Sequence, residues 1–297
     1  MGLVTETKRI LSKKYAILQD LQNADKYIAP LVRVAGYNCV EPRNSRVDPR
    51  HLELMEVRGD GLHPEFCEQV RESARHLVTR SVERRILRIT EISGCTATKS
   101  RPQYRLMREW GDNLRPEWLS EITDKRSLTA TNRVHFDLCV NRSWRNRADE
   151  VYHFNHLTWA RGGGLYWENE GGSHHAAYAL SLADRYKYQV DLKANITVYR
   201  MNEDLIDSLV MRYGAYVFQG DSCNMLVSEL RRYRVPFARS HIGIGSGELY
   251  YSVIYVDDKD VGLSPIVAHH LDGLTDKGKI TNLSRWSRWF VYGGNGF

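Results

Sequence analysis

The spacing of apolar residues changes along this chain, and that change limits the folds open to it. Over residues 4–27, Leu11, Tyr15, Leu18 and Leu21 recur three and four positions apart with lysines between them, the period of an amphipathic helix. His63-Pro64 opens a second helical pattern. Pro64 suits a first turn, and Glu65 and Glu68 suit the positive end of the helix dipole. Phe66, Val70, Ala74, Leu77 and Val78 form one apolar face, and the pattern runs on toward Ile89. From Arg133 the period shortens to two. VHFDLCV puts Val134, Phe136, Leu138 and Val140 on one face of an expected strand, and residues 151–159 alternate in part. A helical front followed by strands mixed with short helices reads as α+β rather than as a doubly wound sheet. A change of pattern between residues 94 and 132 divides the chain into a mainly helical region, 1–130, and an α+β region, 131–297, with no long linker between them.

The remaining elements are read from local signals. Residues 36–62 carry Pro42, Pro49, Gly59 and Gly61 and read as a connector with one short strand near 52–57. Residues 103–121 hold one short helix and a break at Pro116. Residues 165–167 form a short strand, and 190–200 a strand or strand pair. Asn202 caps a helix, with Glu203 and Asp204 in its first turn and Leu205, Ile206, Leu209 and Val210 on its core side. Residues 215–218 form a strand, and Ser222 caps a helix running to about Tyr233. Residues 248–256, ELYYSVIYV, have the strongest strand composition. His269-His270, before Leu-Asp-Gly, reads as a turn with surface histidines. The tail RWSRWFVYGGNGF suits either a partner surface or packing of Trp286, Trp289 and Phe290 onto the core.

Composition narrows the function classes. No apolar run approaches the ~20 residues of a bilayer span, and the N-terminus has no signal-peptide core, so a cytoplasmic location is expected. The five cysteines, Cys39, Cys67, Cys95, Cys139 and Cys223, form no CxxC and are expected as buried reduced thiols. The net charge of +6 permits a polyanionic partner without requiring one. Arginines crowd between 71 and 108 and between 133 and 147. Those clusters are candidate contacts for a nucleotide or nucleic acid, or else solvated faces.

The least ordinary stretch is WENEGGSHHAAYALSLADRY, residues 167–186. Ala176 to Asp184 are strong helix formers, with Ala177, Leu180 and Ala183 inward. Gly171, Gly172 and Ser173 then stand at a helix N-terminus, where unpaired amides and the dipole favour an anion. Ser173 can cap the helix or donate to a phosphate. His174 and His175 can bring charge or a ligating nitrogen, although adjacent histidines cannot both face one ligand. The candidate anion site is therefore Gly171, Gly172, Ser173, His174 and His175. A routine turn and cap explains the same residues.

Gly172-Ser173-His174-His175, the alanines that follow and the strand beginning at 190 resemble the turn-helix-strand motif of the ParB/sulfiredoxin superfamily, over about 30 residues. The resemblance implies a turn that binds the phosphate of a nucleotide or substrate. The superfamily's arginine is His175 here, so phosphate binding needs another arginine. The segment also resembles an uncharacterised pseudomonad and bacteriophage family with a GGSHH helix start. That resemblance implies a protein of phage or bacterial origin, in the host cytoplasm if phage-encoded, with a role in protein import or trafficking as a minor alternative.

Other constellations are thinner. His153 and His156 are three apart, which places them on opposite faces of a strand and argues against a shared metal. His156-x-Thr158 is a single His-x-Thr, where a 2H phosphoesterase needs two. There is no Gly-x-Ser-x-Gly, and Gly243, Gly245 and Gly247 precede a strand, which fits neither a Rossmann turn nor a P-loop. The sequence leaves the cofactor open. Cys223 at a helix start with His241 is a candidate Cys–His pair. Asp257, Asp258 and Asp260 form a candidate cation loop or a solvated turn. The reading is a non-enzymatic binding protein with a degenerate anion site. The alternatives are a protein-interaction factor, and a metal-dependent phosphotransferase or nuclease using Glu168 or Glu170 as base or metal ligand.

Overall fold

The computed structural model of the chain describes residues 2–31, 57–59, 63–96, 98, 104, 106–115, 119, 131–144, 150–158, 164–169, 171–242, 250–257 and 262–291. At the front, α1 (Gly2–Ala24) and α2 (Pro64–Ser73) are the two expected helices. Only β1 (Arg58–Gly59) is a strand between them among the described residues; most of the strand expected near 52–57 lies outside those residues. α2 has Pro64 and Glu65 in its first turn and stops at Ser73. The expected continuation to Ile89 is corrected: β2 (Val78–Arg88) is an eleven-residue strand. His76 turns the backbone with φ 67°, and the β-branched Val78, Thr79, Val82 and Ile86 favour extended structure. Val82 and Ile86 are 62% and 58% exposed, and Val78 and Leu87 are the buried residues of the strand.

Next come β3 (Gly94–Cys95), α3 (Met107–Asp112) and α4 (Asn132–Trp144). α4 corrects the strand expected at 134–140. Its buried residues are His135, Phe136, Cys139, Val140, Ser143 and Trp144, a helical spacing, while Val134 is exposed. The polar His135 and Ser143 on the buried face masked that period. β4 (Val151–Leu157), β5 (Leu165–Trp167), α5 (Ser173–Tyr186) and β6 (Asp191–Met201) follow as expected, with β6 a single strand.

These strands form the first sheet, in the order β2-β6-β4-β5-β3. β2 and β6 are antiparallel along their whole length, β6 and β4 parallel, β4 and β5 antiparallel, β5 and β3 parallel. Side chains alternate across it. Leu192, Ala194, Ile196 and Val198 of β6 join Phe154, Leu165 and Trp167 in one core with Trp110, Phe136, Trp144, Ala176 and Ala177 of α3, α4 and α5. From the opposite face, Val78, Leu157 and Tyr166 join the core of the second sheet.

The second sheet contains β7 (Ala215–Gln219), β8 (Phe237–Ile242), β9 (Tyr251–Val256) and β10 (Thr281–Asn282), in the antiparallel order β1-β8-β9-β7-β10. Around it lie α6 (Glu203–Tyr213), α7 (Asn224–Arg232), α8 (Ser264–Asp276) and α9 (Leu283–Val291). Asn202 caps α6, accepting from the Leu205 amide at 3.1 Å. The N-cap position of α7 is Cys223, with no side-chain capping bond, rather than Ser222, whose hydroxyl is buried without a partner among the described residues. The expected turn at His269-His270 is instead the interior of α8, where His270 Nε2 lies 2.9 Å from Asp25 Oδ1. Trp286 of the tail is fully buried. Ile17 and Leu21 of α1 are buried in the core shared with α7 and α8. Both sheets thus draw strands from either side of residue 130. Among the described residues no helix is long and apolar enough to cross a membrane.

Candidate functional site

α5 starts at a backbone position that demands glycine. Gly172 has φ 76° and ψ 13°, the left-handed region where a Cβ is strained. Space is not the reason, since an added Cβ would sit 3.5 Å from Ser143 Cα and 3.6 Å from the Arg142 carbonyl oxygen, ordinary contacts. The Gly172 carbonyl accepts from the Ala176 amide at 2.9 Å and from Ser143 Oγ at 3.3 Å. The turn is thereby tied to the end of α4.

Between this turn, the end of α4, the start of β4 and the end of β5 lies a cleft of about 470 Å³. Gly171 and Gly172 form part of its wall. Arg142, Glu150, Glu168, His153 and Tyr152 are its ionisable side chains. Tyr152 Oη donates to Glu150 Oε2 at 3.1 Å. Trp144 and Trp167, with ring centroids 5.2 Å apart, supply apolar surface. The indole N–H of Trp144 is buried and has no acceptor among the described residues. Such a donor is uncommon in a folded interior.

Of the residues singled out in the sequence, Gly171, Gly172 and Glu168 meet at this cleft. Glu170 lies outside the described residues. Ser173 is buried and donates to Thr98 Oγ1 at 3.1 Å. His174 packs edge-on against Trp110 of α3, centroids 4.9 Å apart, and burial pushes its pKa down. His175 is buried on α5. Neither imidazole is among the residues that line the cleft. Arg142 and Glu150 are the functional candidates that the sequence did not single out, and His153 was weighed there only with His156 for a metal. Arg142 belongs to the arginine cluster at 133–147, but only its helical placement on α4 brings it beside the turn.

The Cys223–His241 pair resolves into a different arrangement. Ser252 stands between them, with its Oγ 3.1 Å from His241 Nδ1 and donating to the Gly220 carbonyl at 2.7 Å. Arg239 donates to Asp221 at 2.5 Å, Asn224 at 2.8 Å and Ser252 at 3.0 Å. Burial raises the Cys223 thiol pKa, which is the reverse of an activated nucleophile. Burial together with Asp221 pushes Tyr250 up to about 12, and the Tyr250 hydrogen bond and Arg239 hold Asp221 low. The cluster ties β8 and β9 to the start of α7, and its chemistry is structural.

His153 and His156 lie on β4, as expected, and burial lowers the His156 pKa. The Thr158 hydroxyl donates to the Tyr199 carbonyl at 3.0 Å. Cys67, Cys95, Cys139 and Cys223 are buried and outside disulfides; Cys39 falls outside the described residues, as do Asp258 and Asp260. Among the described residues no three His, Cys, Asp or Glu side chains are grouped to hold a metal ion.

No curated protein and no solved structure matches the chain significantly. A family model does match, over residues 82–254, a span that holds α4, the cleft and α5 with β3 to β8 and parts of β2 and β9. The chain belongs to that family, DUF6685, a family of unknown function.

Proposed function

We propose that the chain is a non-enzymatic binding protein whose cleft takes a small ligand with one phosphate or carboxylate group. The observation that carries this reading is the position of Arg142. The resemblance to the ParB/sulfiredoxin motif leaves His175 where an arginine would meet phosphate, so a second arginine is required. Arg142 lines the same cleft as Gly171 and Gly172. A guanidinium beside the amides of a helix start is a strong combination for a single anionic group.

Glu150 and Glu168 narrow the ligand class. Two carboxylates beside one arginine repel a polyanion such as nucleic acid. They suit a ligand that carries hydroxyl or amino donors next to its anionic group, as a mononucleotide does.

Thermal denaturation with added inorganic phosphate, small carboxylates and mononucleotides tests this. A ligand that binds the folded state raises the melting temperature with its concentration. The expected result is a rise for the wild type with a mononucleotide, and its loss in R142Q. Absence of any rise in the wild type across the set, or an equal rise in R142Q, rejects the cleft as an anion site.

A further inference from the structure

The first sheet ends in an unusual edge. Among the described residues β2 pairs only with β6, and its other side is open along eleven residues. Long open edges invite pairing with another chain. Alternation places Arg80, Val82, Arg84, Ile86 and Arg88 on one face, because Leu87 of the opposite face is the residue buried in the first core. Their partners across the ladder are Tyr199, Thr197, Asn195, Lys193 and Asp191.

The two faces of β2 treat charge differently. On the Leu87 side, Arg85 pairs with Glu91 at 2.9 Å, and Glu83 pairs with Arg200 at 3.4 Å. On the other side, Arg80, Arg84 and Arg88 have no ion-pair partner among the described residues, and Val82 and Ile86 between them are 62% and 58% exposed. Cations and aliphatic groups therefore alternate along an open edge, and the one acidic residue among their cross-strand partners is Asp191, opposite Arg88. Two copies of β2 paired antiparallel about Arg84 would set Arg80 against Arg88 and Arg84 against Arg84. A nucleic-acid strand is the weaker fit, because sequence-tolerant binding of single strands relies on aromatic stacking and the exposed residues between these arginines are aliphatic.

We propose that the free edge of β2 accepts an extended acidic segment of a protein partner, which adds a strand to the first sheet. Main-chain hydrogen bonds to β2 supply the affinity, and side chains on alternate positions supply the selection. Residues sharing a face are two apart, and the arginines are four apart. The partner segment therefore carries an acidic residue at every fourth position and an apolar residue midway between, opposite Val82 and Ile86. This surface is separate from the cleft, and either assignment stands without the other.

The test uses a labelled peptide in which Asp and Val alternate at every second position, with Thr between them. A control peptide has Lys for Asp, and a single-stranded oligonucleotide of similar length is the third probe. Binding is read by fluorescence anisotropy with the full chain and with R80E/R84E. The expected result is saturable binding of the acidic peptide that weakens with salt and falls at least about tenfold in R80E/R84E, with the Lys peptide gaining on the variant. Amide exchange should slow at β2 when the peptide is bound. An unchanged thermal midpoint shows that R80E/R84E is folded. The proposal is overturned if the wild type does not bind the acidic peptide, if R80E/R84E binds it equally, or if the oligonucleotide binds more tightly than the peptide.

Discussion

His174 and His175 are neighbours in the chain with different surroundings. His174 packs on Trp110, and His175 is buried on α5. Burial lowers the pKa of His174, as it does for His156 and His241. In the unfolded chain such histidines titrate near 6.5. As pH falls through that value the unfolded state takes up more protons than the folded state, so the stability these groups contribute is present above it and is lost below. The melting temperature is therefore expected to drop between pH 7 and about pH 5.5, and to drop less in H174Q, in thermal scans across that range. An identical slope in the variant would remove His174 from the cause. At this scale local signals were legible where the physics was local. The Asn202 cap needs only its own side chain and the Leu205 amide three residues on, and both are visible in the sequence. The use of the two histidines was not, because Trp110 lies more than sixty positions away and nothing nearby announces it.

Two elements were misread for opposite reasons. β2 keeps apolar residues at helical spacing, yet only its end residue Val78 and Leu87 are buried, so the spacing had no core behind it. α4 hides a helical face behind His135 and Ser143, and its visible alternation puts Val134 in solvent. Without α4 as a helix, Arg142 could not be placed beside Gly172, so the cleft was only half legible. The packing of α3 on α5 gives a sharp expectation. An added Cβ on Gly111 would overlap the carbonyl oxygen of Ala177 and lie 2.9 Å from Ser181 Cβ. In an isolated helix, glycine to alanine gains roughly 1 kcal/mol. Here G111A is expected to lose about 1–3 kcal/mol or more, because the obstacle is backbone and the two helices must separate. Equilibrium urea unfolding checks the sign, and a stabilised variant would mean that α3 sits less closely on α5.

α1 joins the beginning of the chain to its far end. Leu21 is fully buried in the core shared with α7 and α8, and Asp20 accepts hydrogen bonds from Tyr233 at 2.6 Å and Arg232 at 3.1 Å. Leu11, two turns or more earlier on the same helix, is 59% exposed. Leu21→Ala is expected to cost about 2–5 kcal/mol through the cavity it leaves. Leu11→Ala should stay within about 0.5 kcal/mol. Comparable losses in urea unfolding would mean that α1 is covered along its whole length. The sequence could not separate these two leucines, since both obey one helical period. It did determine the class of the molecule: the order of its periods, a capped α6, the strand at β9 and a glycine turn opening α5 all follow from interactions among residues a few positions apart. Which side of each element is buried, that Arg142 meets the glycine turn, and that Arg80 and Arg84 share an exposed face of an edge strand with Val82 and Ile86 were decided only by the tertiary structure. Those outcomes depend on contacts between residues far apart in the chain, whose free energy appears only when the two sheets and their helices pack together.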